Sequence, residues 1–98
     1  AEAQYRLAEI LYIKQKYADA EKAGFDVIKK YGSYEYWVTK SYILLGDVYF
    51  AQKDYFNAEA TFKSIAENAT IEELKKEAEE KLAKVIEAKN KANQVEHQ

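Results

Sequence analysis

Shifted by 38 residues, the sequence falls on itself: Leu7 lands on Leu45, Tyr17 on Tyr55, Ala20 on Ala58 and Glu21 on Glu59. Similar residues fill the gaps, with Ala8 on Gly46, Glu9 on Asp47, Ile10 on Val48, Tyr12 on Phe50 and Val27 on Ile65. Small side chains meet small ones and large apolar ones meet large. A period of this size marks one supersecondary unit used twice, each copy covering part of the other's apolar face. Within each copy the spacing is helical. Leu7, Ile10 and Leu11 share a face with Ala3, as do Tyr42, Leu45, Gly46 and Tyr49 in the second copy. Average usage would put about five prolines in a chain this long. There are none, and only 3 glycines. A chain so poor in turn formers is not a sandwich or a barrel, and an all-α fold is expected.

Each copy divides into two helices. Lys14-Gln15-Lys16 interrupts the apolar rhythm of the first and Gln52-Lys53-Asp54 that of the second, which predicts a tight turn at each. Gly32 suits a left-handed C-terminal cap after Tyr31, and Ser33 suits the cap of the next helix. Asn68-Ala69 ends a fourth helix. Thr70, with Glu73 three residues on, reads as a capping box opening a fifth.

All the aromatic residues lie between Tyr5 and Phe62, while the last third is Glu-, Lys- and Ala-rich. Ile71, Leu74, Ala78, Leu82, Val85, Ala92 and Val95 form one stripe of a long helix, about 35 Å by the α-helical rise. Glu72–Lys76, Glu77–Lys81, Glu80–Lys84 and Glu87–Lys91 are spaced as i,i+4 ion pairs along its flanks. This helix is expected to overhang the rest.

Paired helices with small residues at fixed places resemble tetratricopeptide repeats, whose pattern is W-x2-L-G-x2-Y, then Ala, an aromatic and Pro over about 34 residues. In the second copy Tyr42, Leu45-Gly46, Tyr49, Ala58 and Phe62 stand at those places, with Ile65 for a later Ala and Thr70 for Pro. In the first copy Leu7-Ala8, Leu11, Ala20 and Val27 fit. Gln4 replaces the Trp and Gly24 the aromatic, with Phe25 next door to supply the bulk. Leu82-Ala83 and Ile86 give a third echo. The resemblance implies a right-handed solenoid of helical hairpins in one domain: repeat one over 1–32, repeat two over 33–69 and a capping helix over 70–95. It further implies that Leu7, Leu45, Tyr42, Tyr49 and Phe62 fill the core. The four residues beyond the usual period fall in 34–40 and lengthen the third helix. Long, Tyr-rich repeats resemble those of bacterial cell-envelope members of the family, which implies an envelope or periplasmic setting.

No constellation for catalysis is present. His97 is the sole His and sits in the tail, and Ser33, Ser41 and Ser64 have no His–Asp partner set. Glu72-Glu73 and Glu79-Glu80 are helix neighbours that point about 100° apart, unlike an acid/base pair. There is no Gly-rich phosphate loop and no metal-ligand spacing, so neither enzyme activity nor a cofactor is expected. A net charge of −2 speaks against nucleic acid. The longest apolar runs, such as Tyr42-Ile43-Leu44-Leu45, are too short for membrane insertion. Without Cys there is no disulfide framework and no redox clue; without Met, the sequence reads as a piece of a longer or processed chain.

What remains is binding. In the family the first helix of each pair lines a concave groove. The resemblance places Glu2, Tyr5, Glu9, Tyr12 and Ile13 there from repeat one, and Lys40, Ile43, Asp47, Phe50 and Ala51 from repeat two. Glu80, Lys84 and Glu87 follow from the last helix. The groove candidates are thus Tyr5, Glu9, Tyr12, Ile13, Lys40, Ile43, Asp47 and Phe50: aromatic anchors beside acids, suited to an extended or helical protein segment. Family members that grip a C-terminal carboxylate use Lys, Asn and Arg at such places, so an acidic peptide end is expected to be repelled here. The same residues also suit contacts to the fifth helix or to more of the parent chain. A structural alternative is self-association through helix 71–95 along Val85, Ala92 and Val95. Trp37, with Tyr34 and Tyr36, is expected to form a local core on Tyr31 and Phe25.

Overall fold

The computed structural model describes the backbone of residues 1–96 and the side chains through Gln94. The roles expected of Val95 and His97 lie outside these described residues. Among them are five α-helices and no strand: α1 (Glu2–Ile13), α2 (Tyr17–Lys30), α3 (Glu35–Ala51), α4 (Tyr55–Asn68) and α5 (Glu72–Glu96). Each helix packs on the next in sequence, and α3 also touches both α1 and α5. Two layers result, α1, α3 and α5 in one and α2 and α4 in the other, within extents of 47 × 29 × 17 Å.

The two hairpins are built alike at the level of single hydrogen bonds. At the first turn Gln15 N–H donates to Tyr12 O (2.9 Å) and Lys16 N–H to Leu11 O (2.9 Å). At the second, Lys53 N–H donates to Phe50 O (3.0 Å) and Asp54 N–H to Tyr49 O (2.9 Å). Both are Schellman closures, and both put a non-glycine residue in the left-handed region, Gln15 and Lys53 each at φ 63°. That conformation costs a side-chain-bearing residue roughly 1–2 kcal/mol. The expectation for Gly32 is corrected: it has no positive φ. There α2 closes through Tyr31 N–H to Val27 O (2.8 Å), and a hydrogen-bonded β-turn follows through Tyr34 N–H to Tyr31 O (2.9 Å). Ser33 does not cap α3, whose N-cap is Tyr34 without a side-chain bond. The one side-chain cap seen among the described residues is Asp54, whose carboxylate accepts from Asn57 N–H (3.2 Å). Thr70 forms no capping box; its hydroxyl reaches back to the Glu35 carboxylate at the start of α3. That bond fastens the α4–α5 corner to the second hairpin.

Small residues decide how closely the helices approach. A Cβ on Gly46 would stand 2.5 Å from Phe62 Cε1 and 2.6 Å from its Cζ, so the ring lies directly on the α3 backbone. Around that contact Ile43, Ala58, Phe62, Ile65, Leu74, Ala78 and Val85 form one core shared by α3, α4 and α5. A second core joins Tyr5, Ala8, Val27 and Leu44, with Trp37, Tyr31 and Tyr12 at its margin. In the first hairpin the large residue is missing. Gly24 stands where Phe62 would be, and Leu45 of α3 fills the vacancy, its Cδ2 3.1 Å from a Cβ built on Gly24. Phe25 is therefore not a substitute for the missing aromatic and is left half-exposed. Trp37 does join a local core, but against Tyr5 (ring centroids 5.5 Å) and Tyr36 (4.8 Å) rather than Phe25.

Two residues expected inside are not. Leu7 is 50% exposed because no helix covers the outer side of α1. Tyr42 is 40% exposed, and it flanks a cavity of about 480 Å³ where α4 offers the small side chains of Ala60, Thr61 and Ser64 beside Ile65 and Asn68. The stripe on α5 behaves as expected, with Leu74, Ala78 and Val85 fully buried. Of its four flanking pairs, Glu77–Lys81 (3.1 Å) and Glu87–Lys91 (3.2 Å) close. Glu72–Lys76 and Glu80–Lys84 do not. With 25 residues against 14 in α4, α5 extends well past its neighbour.

The two glycines make opposite predictions. Gly46→Ala forces a methyl into a buried ring, a strain of about 1–3 kcal/mol that outweighs a helix-propensity gain of about 1 kcal/mol. Gly24→Ala meets the Cδ2 end of the buried Leu45 at 3.1 Å, a contact relieved by a shift of a few tenths of an ångström, so the helix-propensity gain should leave it close to neutral. Urea unfolding should show the first variant destabilised and the second not, with Phe62→Leu relieving part of the Gly46→Ala loss.

Candidate functional site

The layer formed by α1, α3 and α5 carries all eight groove candidates, but it treats them differently. Tyr5 (4% exposed) and Ile43 (2% exposed) are interior residues rather than open anchors, a correction with a clear cause. Contact of α3 with both α1 and α5 closes the seams where they lie. Tyr5 packs on Trp37 and has the Arg6 guanidinium and the Lys40 ammonium each 5.6 Å from its ring centre. Burial, reinforced by the nearby Glu9, pushes its phenol far above the usual range, so it stays protonated. Ile43 belongs to the α3–α4–α5 core. Glu9 turns to Arg6 on its own helix (3.0 Å). Ile13 is 69% exposed at the hairpin end.

Asp47 and Lys40 are drawn into a chain of charges between α3 and α5. Lys81 donates to Asp47 Oδ2 at 2.8 Å and pairs with Glu77 at 3.1 Å, and Glu77 lies 3.9 Å from Lys40. Burial raises the Asp47 carboxyl above its ordinary value, and the pull of Lys81 only partly offsets this. For Lys81, burial works to lower the ammonium, but Asp47 and Glu77 together hold it above its ordinary value. A second tie, Lys89 to Glu59 at 2.6 Å, joins α5 to α4. The 34-residue separation of Asp47 and Lys81 hides their pairing from any helix-spacing rule.

Tyr12 and Phe50 remain as partly buried rings, and they occupy equivalent places. Tyr12 leans on Tyr17 (6.0 Å, 55°) and Phe50 on Tyr55 (5.8 Å, 55°), the same aromatic pair made twice. Between them lies a cavity of about 350 Å³ floored by Phe62 and bounded by Asp47, Lys81 and Lys84. Asp47 is already paired with Lys81, while the exposed Lys84 forms no ion pair among the described residues, so the cavity presents one spare ammonium beside two aromatic walls. Burial raises the Tyr12 phenol as well, with the Asp47 charge adding to it. Neither Lys81 nor Phe62 is among the groove residues that the sequence offers. Among the described residues no three His, Cys, Asp or Glu side chains gather to hold a metal ion. No described helix is long and apolar enough to cross a membrane.

Comparisons with protein-family models, with curated proteins and with solved structures find no match for this chain.

The charge chain can be tested by removing its cation. Lys81→Met leaves a desolvated Asp47 carboxylate and should cost about 2 kcal/mol at pH 7, below the roughly 3–5 kcal/mol typical of fully buried pairs. Asp47→Asn should cost less, because Lys81 keeps Glu77. In Lys81→Met the folded chain binds a proton at Asp47 more tightly than the unfolded chain. Its deficit should therefore shrink as pH falls from 7 toward 5. Equal losses in both variants, flat with pH, would contradict this arrangement.

Proposed function

We propose that this chain is a protein-binding module of the tetratricopeptide-repeat type, a right-handed solenoid fragment of two hairpins closed by α5, with no catalytic role and no cofactor. The reading is supported by the repetition itself. Helix ends, Schellman turns and aromatic pairs recur at the 38-residue spacing, from Ile13 to Ala51, from Gln15 to Lys53 and from Tyr12–Tyr17 to Phe50–Tyr55. Its site is the cavity between Tyr12 and Phe50, and that cavity is the observation on which the function rests. A partner segment, extended or helical, would seat an apolar side chain between the two rings. An acidic group beside it would meet Lys84, so a neighbouring acid is favoured rather than repelled. Binding sites of this kind draw most of their energy from a few aromatic anchors with a satisfied polar rim.

The alternative of self-association through α5 loses support from one of its residues: Val85 is enclosed in the core.

Selection of a random peptide library on the chain should enrich sequences with an aromatic or aliphatic residue next to Asp or Glu. Tyr12→Ala combined with Phe50→Ala should reduce their affinity at least tenfold, which is about 1.4 kcal/mol. Each ring is partly buried against a core, so the stability loss should be about 1–2 kcal/mol per site, and far-ultraviolet circular dichroism should remain helical. Enriched peptides that bind the double variant equally well would sink the cavity as the site.

A further inference from the structure

The outward side of α4 departs from its counterpart in the first hairpin. α4 packs on α3 and α5 and makes no contact with α2, so one side of it faces solvent. That side carries Phe56, Ala60, Lys63, Ser64 and Glu67, all exposed and all on one helical face. Phe56, at 81%, is the most exposed large apolar side chain among the described residues. One to two turns along the same helix lies the cavity of about 480 Å³ bounded by Ala60, Ser64 and the ring of Tyr42. The 38-residue equivalents of Phe56, Ala60 and Ser64 are Ala18, Lys22 and Asp26 on α2, with Gln4 in place of Tyr42. The fold therefore builds the same face from charged residues in one hairpin, and its apolar character in the other is not a packing requirement. An exposed apolar knob beside an open hole marks a contact surface.

We infer that this face pairs with itself: two copies of the chain join as a two-fold symmetric dimer, their α4 helices antiparallel and Ala60 meeting Ala60 of the partner subunit on the axis. A second copy is the occupant because the face is complementary to itself. In an isologous contact, positions equally far to either side of the axis residue meet. Phe56 and Ser64 stand four residues to either side of Ala60, so each Phe56 ring enters the small-residue cavity of the other copy. Lys53, in the turn before α4, and Glu67 stand seven residues to either side, so the same register pairs them at both ends of the interface. Both are exposed, and neither forms an ion pair among the described residues. Lys63 falls opposite Asn57, and no like charges are opposed along this face. The small Ala60 lets the two helices approach closely where they cross. One helix face per copy lies at the small end of stable interfaces, so micromolar rather than nanomolar association is expected. The pairing stands or falls separately from the groove, since none of the eight groove candidates lies on α4.

Sedimentation equilibrium on the 98-residue chain, from about 10 μM to about 1 mM, should show monomer and dimer with nothing larger. Phe56→Ala should weaken the dimer roughly tenfold or more. Ala60→Lys, which sets two ammonium groups on the axis, should abolish it. Both positions are exposed, and Ala and Lys are good helix formers, so circular dichroism and the urea midpoint should stay close to those of the parent chain. Charge reversal then tests the register. Lys53→Glu or Glu67→Lys alone opposes like charges at both ends and should weaken self-pairing about three- to tenfold. An equimolar mixture of these two variants should dimerise at the parent's strength, because the heterodimer restores both pairs. A chain that stays monomeric to about 1 mM would overturn the proposal. Dimerisation untouched by Phe56→Ala and Ala60→Lys would place the contact elsewhere and overturn it as well. Growth into open-ended oligomers would show a head-to-tail contact, such as the exposed Leu7 face of α1 seated in this cavity, and contradict the two-fold pairing. A mixture of the charge variants that pairs no better than either alone would overturn the register and with it the inference.

Discussion

The contact between Gly46 and the ring of Phe62 sets the geometry on which the second hairpin depends. With no Cβ in the way, the ring rests on the backbone of α3 and draws α4 close enough to bury Ala58 and Ile65. That places the far side of α4 where Leu74, Ala78 and Val85 of α5 can complete the core. The first hairpin meets the same requirement without a ring. Gly24 takes the place of the aromatic, and the volume left over accepts Leu45 from α3. One small-for-large exchange thus changes a contact within a hairpin into a contact between hairpins. Close packing of this sort responds to single methyl groups, because interiors are filled to near-crystalline density.

Electrostatics then fixes α5 against α3 and leaves one stretch of their shared face open. The sequence of charges from Asp47 through Lys81 and Glu77 to Lys40 pins α5 across α3, and Lys89 with Glu59 pins it to α4. With Tyr5 and Ile43 buried in the same layer, the groove proposed there narrows to the stretch between Tyr12 and Phe50. The pinned ion pairs are only partly exposed, so they resist salt better than surface pairs would. They make the cavity a fixed feature of the helix arrangement rather than a gap between loosely held side chains.

Much of the fold is legible in the residues. The 38-residue echo, the Lys14–Lys16 and Gln52–Asp54 breaks and the α5 stripe all follow from local spacing, which the backbone honours directly. The departures share a physical origin, because each concerns a partner that local spacing does not specify. An interior place for Leu7 and Tyr42 requires neighbours, yet Leu7 has no covering helix and Tyr42 faces mostly small side chains. An open groove at Tyr5 and Ile43 requires separated helices, and helix-to-helix contact buries both instead. Residue type alone suggests caps at Gly32 and Thr70. The left-handed positions fall to Gln15 and Lys53 within tight hairpin turns, and Thr70 bonds across the fold to Glu35. The cavity itself needs Lys81 and Phe62, brought together by tertiary packing alone.

The most direct test of the close-packed hairpin is a solution NMR measurement of the Gly46 α protons. A phenyl ring lying on them should shift at least one strongly upfield and give intense cross-relaxation to the Phe62 ring protons, and Phe62→Leu should abolish both signals. Gly46 α protons at ordinary helical shifts, with no cross-relaxation to Phe62, would contradict the packing from which the rest of the structure is built.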